Sequence, residues 1–274
     1  MADLESQIRE LWERRDELSP ANADAAAIVR EAVGLLDSGE ARVAQLGPDG
    51  APVVNDWLKQ SILLLFRVSG LETTEVGPFE FADRIPLKSG YERAGVRVVP
   101  GASARWGSHL EPGVIMMPSY VNIGARVGSC TMVDTWATVG SCAQIGRNTH
   151  LSGGVGIGGV LEPPQAAPVF VGDECYIGSR CIVAEGARVG DGAVLGAGCI
   201  LTATIPVIDA ETGEEISRGV VPGWCVALSA TRPRAYPGGE FGMPCVLVVK
   251  RLEEGSRHDK SNLNDILRAH GGTV

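Results

Sequence analysis

Aliphatic residues recur at every sixth position through the middle of the chain, a period that fits neither a helix nor an alternating strand. They are Ile115, Val121, Val127, Val133, Val139, Ile145, Leu151 and Ile157, and after an interruption Val171, Ile177, Val183, Val189, Leu195 and Leu201. A six-residue period is typical of a β-helix, in which each hexad supplies a short strand and a bend. Three hexads close one coil of about eighteen residues, and the coils stack through parallel backbone hydrogen bonds.

Two further regularities follow the same period. The residue after each aliphatic is usually glycine or small and polar, as at Gly128 and Asp134, and we expect a corner with permissive backbone dihedrals there. The fourth residue after it is usually small, as at Ala125 and Cys175. Aliphatic and small side chains are therefore both predicted to point inward. The predicted fold is mainly β: a parallel β-helix of hexapeptide repeats over residues 96–221.

Two segments interrupt the period and are predicted to be excursion loops. The first lies near 158–169 and contains Glu162-Pro163-Pro164-Gln165, and the second lies near 206–218 and contains the turn Asp209–Gly213. Loops carried by a regular scaffold are frequent places for function. We therefore expect the first loop to lie near the chemistry.

The flanking regions follow other patterns. Residues 1–95 are predicted to form a mostly helical N-terminal domain of three helices. The expected N-cap is Asn22 or Asp24 for the second helix and Asn55 for the third, and Ser38-Gly39 is the expected stop of the second helix. Residues 222–274 are predicted to be a C-terminal extension, with strands at 219–228 and 245–250 and a short helix near 262–269.

Composition and charge exclude several function classes. The net charge of −9 argues against nucleic-acid binding, and no window of eighteen apolar residues or signal-peptide pattern occurs. No membrane partner is expected, and a cytoplasmic location is the default. The seven cysteines are widely spread without a CxxC pair, so we expect neither disulfides nor a metal site.

Several continuous stretches are more specific than the repeat. They are MPSYVNIGA at 117–125, MVDTWATVGSCAQIG at 132–146, HLSGGVGIGGVLEP at 150–163, ERRDELSPANAD at 13–24, LLDSG at 35–39 and RVVP at 97–100. Together they resemble the 2,3,4,5-tetrahydropyridine-2,6-dicarboxylate N-succinyltransferase family of the bacterial lysine pathway. The resemblance covers nearly the whole chain and weakens after Cys225.

The resemblance implies a left-handed coil, a homotrimer and an acyl transfer. Family members move the succinyl group of succinyl-CoA to the amine of an opened cyclic imine dicarboxylate, 2-amino-6-oxopimelate. Succinyl-CoA is a cosubstrate, and no permanently bound cofactor is implied. The chemistry requires an oriented neutral amine, a proton acceptor, donors for the oxyanion and cations for carboxylates.

The resemblance also implies site residues. Arg97 and Asp134 match residues that bind the amino-dicarboxylate substrate, and Asp134 is predicted to orient the amine and take its proton. Glu185, in IVAEGARVG, matches a glutamate that acts as base or acyl acceptor. Asp134 and Glu185 are eight hexads apart, which corresponds to nearly three coils or about 13 Å along the axis. Either they bracket a groove between subunits, or Glu162 is the nearer carboxylate.

Other assignments stay open at the level of sequence. His150 is either a catalytic base or a hydrogen-bonded structural histidine. For coenzyme A, Lys250 and Arg251 are candidates for the phosphates. Gly196, Ala203 and Ser229 are candidates to line the pantetheine arm.

Three competing functions remain. A carbonic anhydrase with this repeat would need three imidazoles around zinc, and the chain has only His109, His150, His258 and His270, of which one lies in the regular coils. A non-catalytic scaffold and an acyltransferase with another acceptor or an acetyl donor are the other two. Of the three, the acyltransferase lies nearest to the predicted function. A succinyl donor needs a cation for its free carboxylate that an acetyl donor does not, and the sequence does not locate this cation.

Overall fold

Three helices and two hairpins form the N-terminal region of the computed structural model, which describes residues 2–255 and 260–273. The elements are α1 (Ala2–Glu13), α2 (Ala23–Ser38), β1 (Ala44–Leu46), β2 (Pro52–Val54), α3 (Asp56–Val68), β3 (Glu72–Val76) and β4 (Phe79–Asp83), with a 3-10 turn at Arg15–Glu17. Apolar stripes on the helices meet in one core that includes Ile8, Val29, Val33, Leu58 and Ile62. The three helices lie where the sequence places them, whereas the exposed hairpin β3–β4 was not predicted.

The two expected N-caps occupy the right positions but do not cap. The Asn22 side chain accepts a hydrogen bond from the Ser19 amide at 2.8 Å, and the Asn55 side chain donates to the carbonyl of Arg42 at 2.7 Å. The prediction of side-chain capping is therefore wrong. Gly39 does end α2, with a φ of 82°, and a Cβ there would collide with the ring of His109.

Short strands of two residues build the central part of the chain. They are β5 (Arg97–Val98), β6 (Ser103–Ala104), β7 (His109–Leu110), β8 (Ile115–Met116), β9 (Tyr120–Val121), β10 (Arg126–Val127), β11 (Met132–Val133), β12 (Thr138–Val139), β13 (Gln144–Ile145), β14 (His150–Leu151), β15 (Gly156–Ile157), β16 (Phe170–Val171), β17 (Tyr176–Ile177), β18 (Ile182–Val183), β19 (Arg188–Val189), β20 (Val194–Leu195) and β21 (Ile200–Leu201). The longer β22 (Pro206–Asp209) and β23 (Glu215–Arg218) follow, and then the short β24 (Val220–Val221).

Successive short strands belong to three parallel sheets in turn. The first face contains β5, β8, β11, β14, β17 and β20, the second β6, β9, β12, β15, β18 and β21, and the third β7, β10, β13, β16, β19 and β24. Each strand pairs with strands one coil away, as Val133 does with Leu151. We name the bend from the first to the second face the first corner, and the bend from the second to the third face the second corner.

The buried aliphatic side chains inside the β-helix confirm the hexad register at thirteen of the fourteen positions. Every member from Val121 to Leu201 is buried in one core. Ile115 is the exception, because Met116 is fully buried in its place and Ile115 lies on the outer side of its strand. The step from Met116 to Val121 is five residues rather than six, so the predicted register is wrong by one residue at Ile115.

Corner conformations differ from the prediction. Positive φ values occur at the third residue after most inward aliphatics, for example 61° at Trp136, 68° at Cys142 and 70° at Gly154. The glycines directly after the aliphatics are needed for a different reason, the lack of space for a side chain. A Cβ on Gly128 would lie 2.5 Å from the Arg147 amide nitrogen of the next coil. These glycines permit close stacking of coils, and the expectation of permissive dihedrals at their positions is wrong.

Both excursion loops leave the β-helix at the second corner. The first, 158–169, separates β15 from β16 and is held by Lys59 of α3, which is fully buried. Its ammonium donates hydrogen bonds to the carbonyls of Ala166 at 2.7 Å and Pro163 at 3.3 Å, and burial lowers the pKa of Lys59. The second excursion is the antiparallel hairpin β22–β23. The N-terminal region thus anchors the first loop directly.

A long hairpin and a helix close the chain. The strands β25 (Cys225–Tyr236) and β26 (Gly239–Arg251) pair along their whole length, so they run well beyond the predicted ends at 228 and 245. β25 also extends the first face beside β20. The helix α4 (Lys260–Ala269) lies where a helix was predicted, and its Leu267 packs on Val194 and Val226. Among the described residues, no helix is long and apolar enough to cross a membrane.

Glu111 joins the coils to each other at the third face. Its carboxylate accepts two hydrogen bonds from Arg126, at 2.6 and 2.9 Å, and one from the Ser129 amide at 3.0 Å. Burial alone would raise the pKa of Glu111, but these bonds outweigh burial and lower it. The ionised carboxylate therefore contributes stability that is present above the ordinary glutamate pKa and lost as pH falls through the lowered one.

We expect Glu111→Gln to reduce the free energy of unfolding by roughly 1–2 kcal/mol at pH 7, because Arg126 loses its charged partner. The reduction should shrink as pH falls from about 4.3, the ordinary glutamate pKa, through the lowered pKa of Glu111 in the folded protein, because the wild-type carboxylate becomes protonated there. Denaturant unfolding between pH 3 and 7 measures both effects. Glu31→Gln, at an exposed position of α2, is the control for a change of net charge, and equal pH profiles for wild type and Glu111→Gln would contradict the expectation.

Candidate functional site

Asp134 lies on the first corner, directly after β11. Its Oδ1 accepts hydrogen bonds from the amide of Thr135 at 2.7 Å and from the Thr135 hydroxyl at 3.2 Å. Its Oδ2 lies 3.4 Å from Nε2 of His150. Burial alone would raise the pKa of Asp134, but the Thr135 amide and His150 outweigh it and lower that pKa. The carboxylate is therefore ionised at neutral pH and presents negative charge to the first face.

His150 belongs to the same site because of the coil geometry. Met132, His150 and Tyr176 are paired neighbours in three successive coils of the first face, and their side chains point outward. The rings of His150 and Tyr176 are in contact, with centroids 5.1 Å apart and planes tilted by 52°. Sequence reasoning considered His150 and Asp134 separately. The eighteen-residue spacing from Met132 to His150 is the signal that places them side by side.

Arg97 lies on the first face as well, in line with the outward residues Met132, His150 and Tyr176. It pairs with Ile115, which pairs in turn with Met132, so Arg97 is two coils before the strand that leads to Asp134. Its side chain is exposed. The structure therefore brings a guanidinium, a carboxylate and an imidazole to one face, which suits an anionic substrate with an amine.

Glu185 lies elsewhere in this subunit, on the second corner after β18. It is just over two coils beyond Asp134, because the first excursion adds residues without adding a coil; the predicted separation of nearly three coils is wrong. Glu162 lies on the second corner as well, in the excursion, and is exposed. Neither glutamate shares the corner of Asp134, so a single subunit does not bring either one to it.

Of the four predicted coenzyme A residues, one lies on each of these two corners and two lie on the C-terminal hairpin. Gly196 is on the first corner, beneath the C-terminal segment: the carbonyl of Thr273 accepts a hydrogen bond from the neighbouring Ala197 amide at 2.9 Å. Ser229 and Lys250 lie nearby on the exposed parts of β25 and β26. Ala203 lies on the second corner, in contact with Gly219.

The described histidines lie far apart in the fold. His109 is on the third face, where its Nδ1 is 3.1 Å from the Asp37 carbonyl, and burial lowers its pKa. His270 follows α4 and lies 2.9 Å from the Ile266 carbonyl. His258 lies outside the described residues. Within 2–255 and 260–273, no group of three His, Cys, Asp or Glu side chains is arranged to hold a metal ion.

Comparisons with known proteins identify the family of the chain. The family description "Tetrahydrodipicolinate N-succinyltransferase N-terminal" matches residues 3–68, and "Hexapeptide repeat of succinyl-transferase" matches residues 168–203. The 2,3,4,5-tetrahydropyridine-2,6-dicarboxylate N-succinyltransferase of Paramagnetospirillum magneticum is 48% identical over 97% of this chain and 99% of its own. The chain belongs to this family.

A second relative has the same name and similar coverage. The N-succinyltransferase of Methylorubrum extorquens is 46% identical over 97% of this chain and 99% of its own. A crystal structure assigned as a 2,3,4,5-tetrahydropyridine-2-carboxylate N-succinyltransferase from Campylobacter jejuni is 20% identical, covers 80% of this chain and 62% of that chain, and has a TM-score of 0.44. The hexapeptide-repeat match and the three parallel sheets confirm the predicted fold class, a left-handed parallel β-helix.

Proposed function

We propose that this chain transfers the succinyl group of succinyl-CoA to the amine of 2-amino-6-oxopimelate, the opened form of tetrahydrodipicolinate, in the diaminopimelate route to lysine. The names of the relatives support the reaction. The observation that carries it in this chain is the placement of Arg97, Asp134 and His150 on one face. Succinyl-CoA acts as cosubstrate, and no permanently bound cofactor is part of the proposal.

The chemistry follows from the charges at that face. The Arg97 guanidinium pairs with a substrate carboxylate, and the ionised Asp134 accepts a hydrogen bond from the amine and orients its lone pair. The amine nitrogen attacks the thioester carbonyl carbon, the C–N bond forms, and the C–S bond then breaks to release the thiolate. A carboxylate with a lowered pKa is a weak proton acceptor at neutral pH, so we assign the amine proton to the imidazole of His150, which passes it to the thiolate.

The position of Glu185 supports an active site between subunits. A groove formed by the first corner of one subunit and the second corner of the next would place Asp134 and Gly196 opposite Glu185 and Ala203. A homotrimer supplies three such grooves, and Glu185 of the neighbouring chain is the alternative to His150 as the base that accepts the amine proton. Lys250 and Ser229 lie at the end of the groove that the coenzyme A phosphates and pantetheine would occupy. A cytoplasmic location completes the proposal.

Donor and acceptor assays test the reaction. We expect thiol release from succinyl-CoA only when tetrahydrodipicolinate is present, and slower release from acetyl-CoA under the same conditions. A faster reaction with acetyl-CoA would overturn the succinyl assignment. Intact trimers without any acyl transfer would favour a scaffold. Full activity in a monomeric fraction, separated by size and checked by light scattering, would contradict the site between subunits.

A further inference from the structure

Lys59 is a buried charged residue that the proposed reaction does not use. It lies on α3, is fully buried, and donates hydrogen bonds to the carbonyls of Pro163 and Ala166 in the first excursion loop. No ion pair between the residues that the structure describes includes Lys59. Burying a cation without a carboxylate is unfavourable, and an apolar side chain of similar length would avoid this cost. The charge is therefore better explained by the loop that it holds than by stability.

The first excursion loop interrupts the second corner one coil before Glu185. The loop leaves its coil at Gly158, where an added Cβ would lie 2.8 Å from Cβ of Ala184. It returns at Ala167, whose carbonyl oxygen would lie 2.7 Å from a Cβ added to Gly186. Ala184 and Gly186 are the residues directly before and after Glu185. The two ends of the loop therefore support the chain on both sides of Glu185.

The backbone at Glu185 is unusual for this fold. At most corners a positive φ occurs only at the third residue after the inward aliphatic, which here is Gly186 with a φ of 73°. Glu185 is the second residue and has a φ of 56°, and it is alone in this among the coils that the structure describes. Residues other than glycine adopt a positive φ rarely, and the conformation persists where the surrounding structure holds it. The ends of the excursion loop are that surrounding structure at Glu185.

A short path of contacts joins Lys59 to Glu185. The ammonium nitrogen lies 2.7 Å from the carbonyl oxygen of Ala166, and the next carbonyl, that of Ala167, is the one that lies against the residue after Glu185. Leu161, earlier in the same loop, packs on the N-terminal core. Without the ammonium, the carbonyl of Ala166 would lose its donor, and the end of the loop could move away from the second corner. The N-terminal region is thus linked to Glu185 through the excursion loop.

We propose that Lys59 is a positioning residue for acyl transfer: it holds the excursion loop under the second corner and thereby orients Glu185 toward the groove between subunits. The inference rests on the proposed function, and within it on Glu185 lying opposite Asp134 of the neighbouring subunit. Lys59 is fully buried in its own subunit and touches no substrate. Its effect on the reaction must therefore pass through Glu185, and this separates it from a general effect on stability.

Lys59→Met tests this role, because methionine has a similar length but no hydrogen-bond donor. We expect kcat for succinyl transfer to fall by about 10- to 100-fold, since a small displacement of a reacting group costs this much. The KM for succinyl-CoA should stay within about threefold of the wild-type value, because Lys59 does not contact the donor. Gln60→Met is the matched control: Gln60 is the next residue of α3, is buried as well and lies against α1, so its variant should keep the wild-type kcat.

A double-mutant cycle with Glu185→Gln separates positioning from a loss of structure. If Lys59 acts through Glu185, Lys59→Met should slow the wild-type protein but change the kcat of Glu185→Gln by no more than about twofold. A general loss of structure would slow both proteins by the same factor. Equal slowing in the two backgrounds, or a wild-type kcat in either single variant, would overturn the positioning role while wild-type succinyl transfer stands.

Hydrogen exchange measured by mass spectrometry tests the link to Glu185 without an activity assay. We expect Lys59→Met to speed exchange in peptides that contain 158–169 and 184–187 and to leave the rest of the β-helix at the wild-type rate. Unchanged exchange at 184–187 would overturn the link. A wild-type protein that transfers no succinyl group would overturn the proposed function and the role in acyl transfer, whereas the exchange rates decide the link by themselves. If Lys59→Met does not fold, Lys59→Gln, which keeps a donor on a shorter side chain, should show smaller changes of the same kind in both measurements.

Discussion

Val139→Asp is expected to prevent folding. Val139 is fully buried inside the β-helix, where it pairs with Val121 and Ile157 of the two adjacent coils. A carboxylate at this position has no cation and no free backbone donor beside it, because the coil amides are already bonded to the next coil. Burying such a group costs several kcal/mol, a large part of the roughly 5–15 kcal/mol that stabilises a typical domain.

Expression and circular dichroism measure the effect, with Thr138→Asp as the matched control. Thr138 is the outward residue of the same strand and is exposed, so the same carboxylate meets water there. We expect insoluble or unfolded protein for Val139→Asp and a melting temperature within a few degrees of wild type for Thr138→Asp. Normal melting of the Val139 variant would refute the inward register of the whole second face.

The β-helix was predictable because one physical rule applies at every coil. Each coil buries one residue per face, so the inward side chains must be aliphatic at a fixed interval, and neighbouring coils repeat the same demand. The period therefore identifies the interior from Val121 to Leu201 without further information. It fails at Met116 because a five-residue step closes that side of the coil, and methionine suits the interior as well as isoleucine does.

The strands without a buried face were not predicted. The strands β3 and β4 are almost entirely exposed, so burial imposes no alternating pattern on their side chains. The outer halves of β25 and β26 are exposed for the same reason. The position of the residues with positive φ was also missed, because residues as different as glycine, cysteine, arginine and tryptophan occur there and composition does not mark it.

The candidate site was predictable residue by residue but not as an arrangement. Asp134 and Arg97 come from motifs, and their common face follows only once the coil length is known. The pairing of Asp134 with His150 depends on the same coil closure.

Asp134→Asn should leave the fold intact and reduce turnover by roughly 100- to 1,000-fold. Asparagine has nearly the same shape, and its carbonyl oxygen can still accept the hydrogen bond from the Thr135 amide. It lacks the negative charge that orients the amine and stabilises the imidazolium of His150 after proton transfer. The loss should therefore appear in kcat more than in the KM for succinyl-CoA.

Steady-state assays with saturating donor measure this loss, with Asp173→Asn as the matched control. Asp173 makes the same kind of bond to a neighbouring amide, that of Arg147, but lies away from the first corner, so its variant should keep wild-type turnover within about twofold. Unchanged turnover in Asp134→Asn would remove Asp134 from the mechanism. His150→Gln extends the test: if the two residues act as one unit, the double variant should be no slower than the slower single variant, because the second change removes a contribution that the first has already abolished.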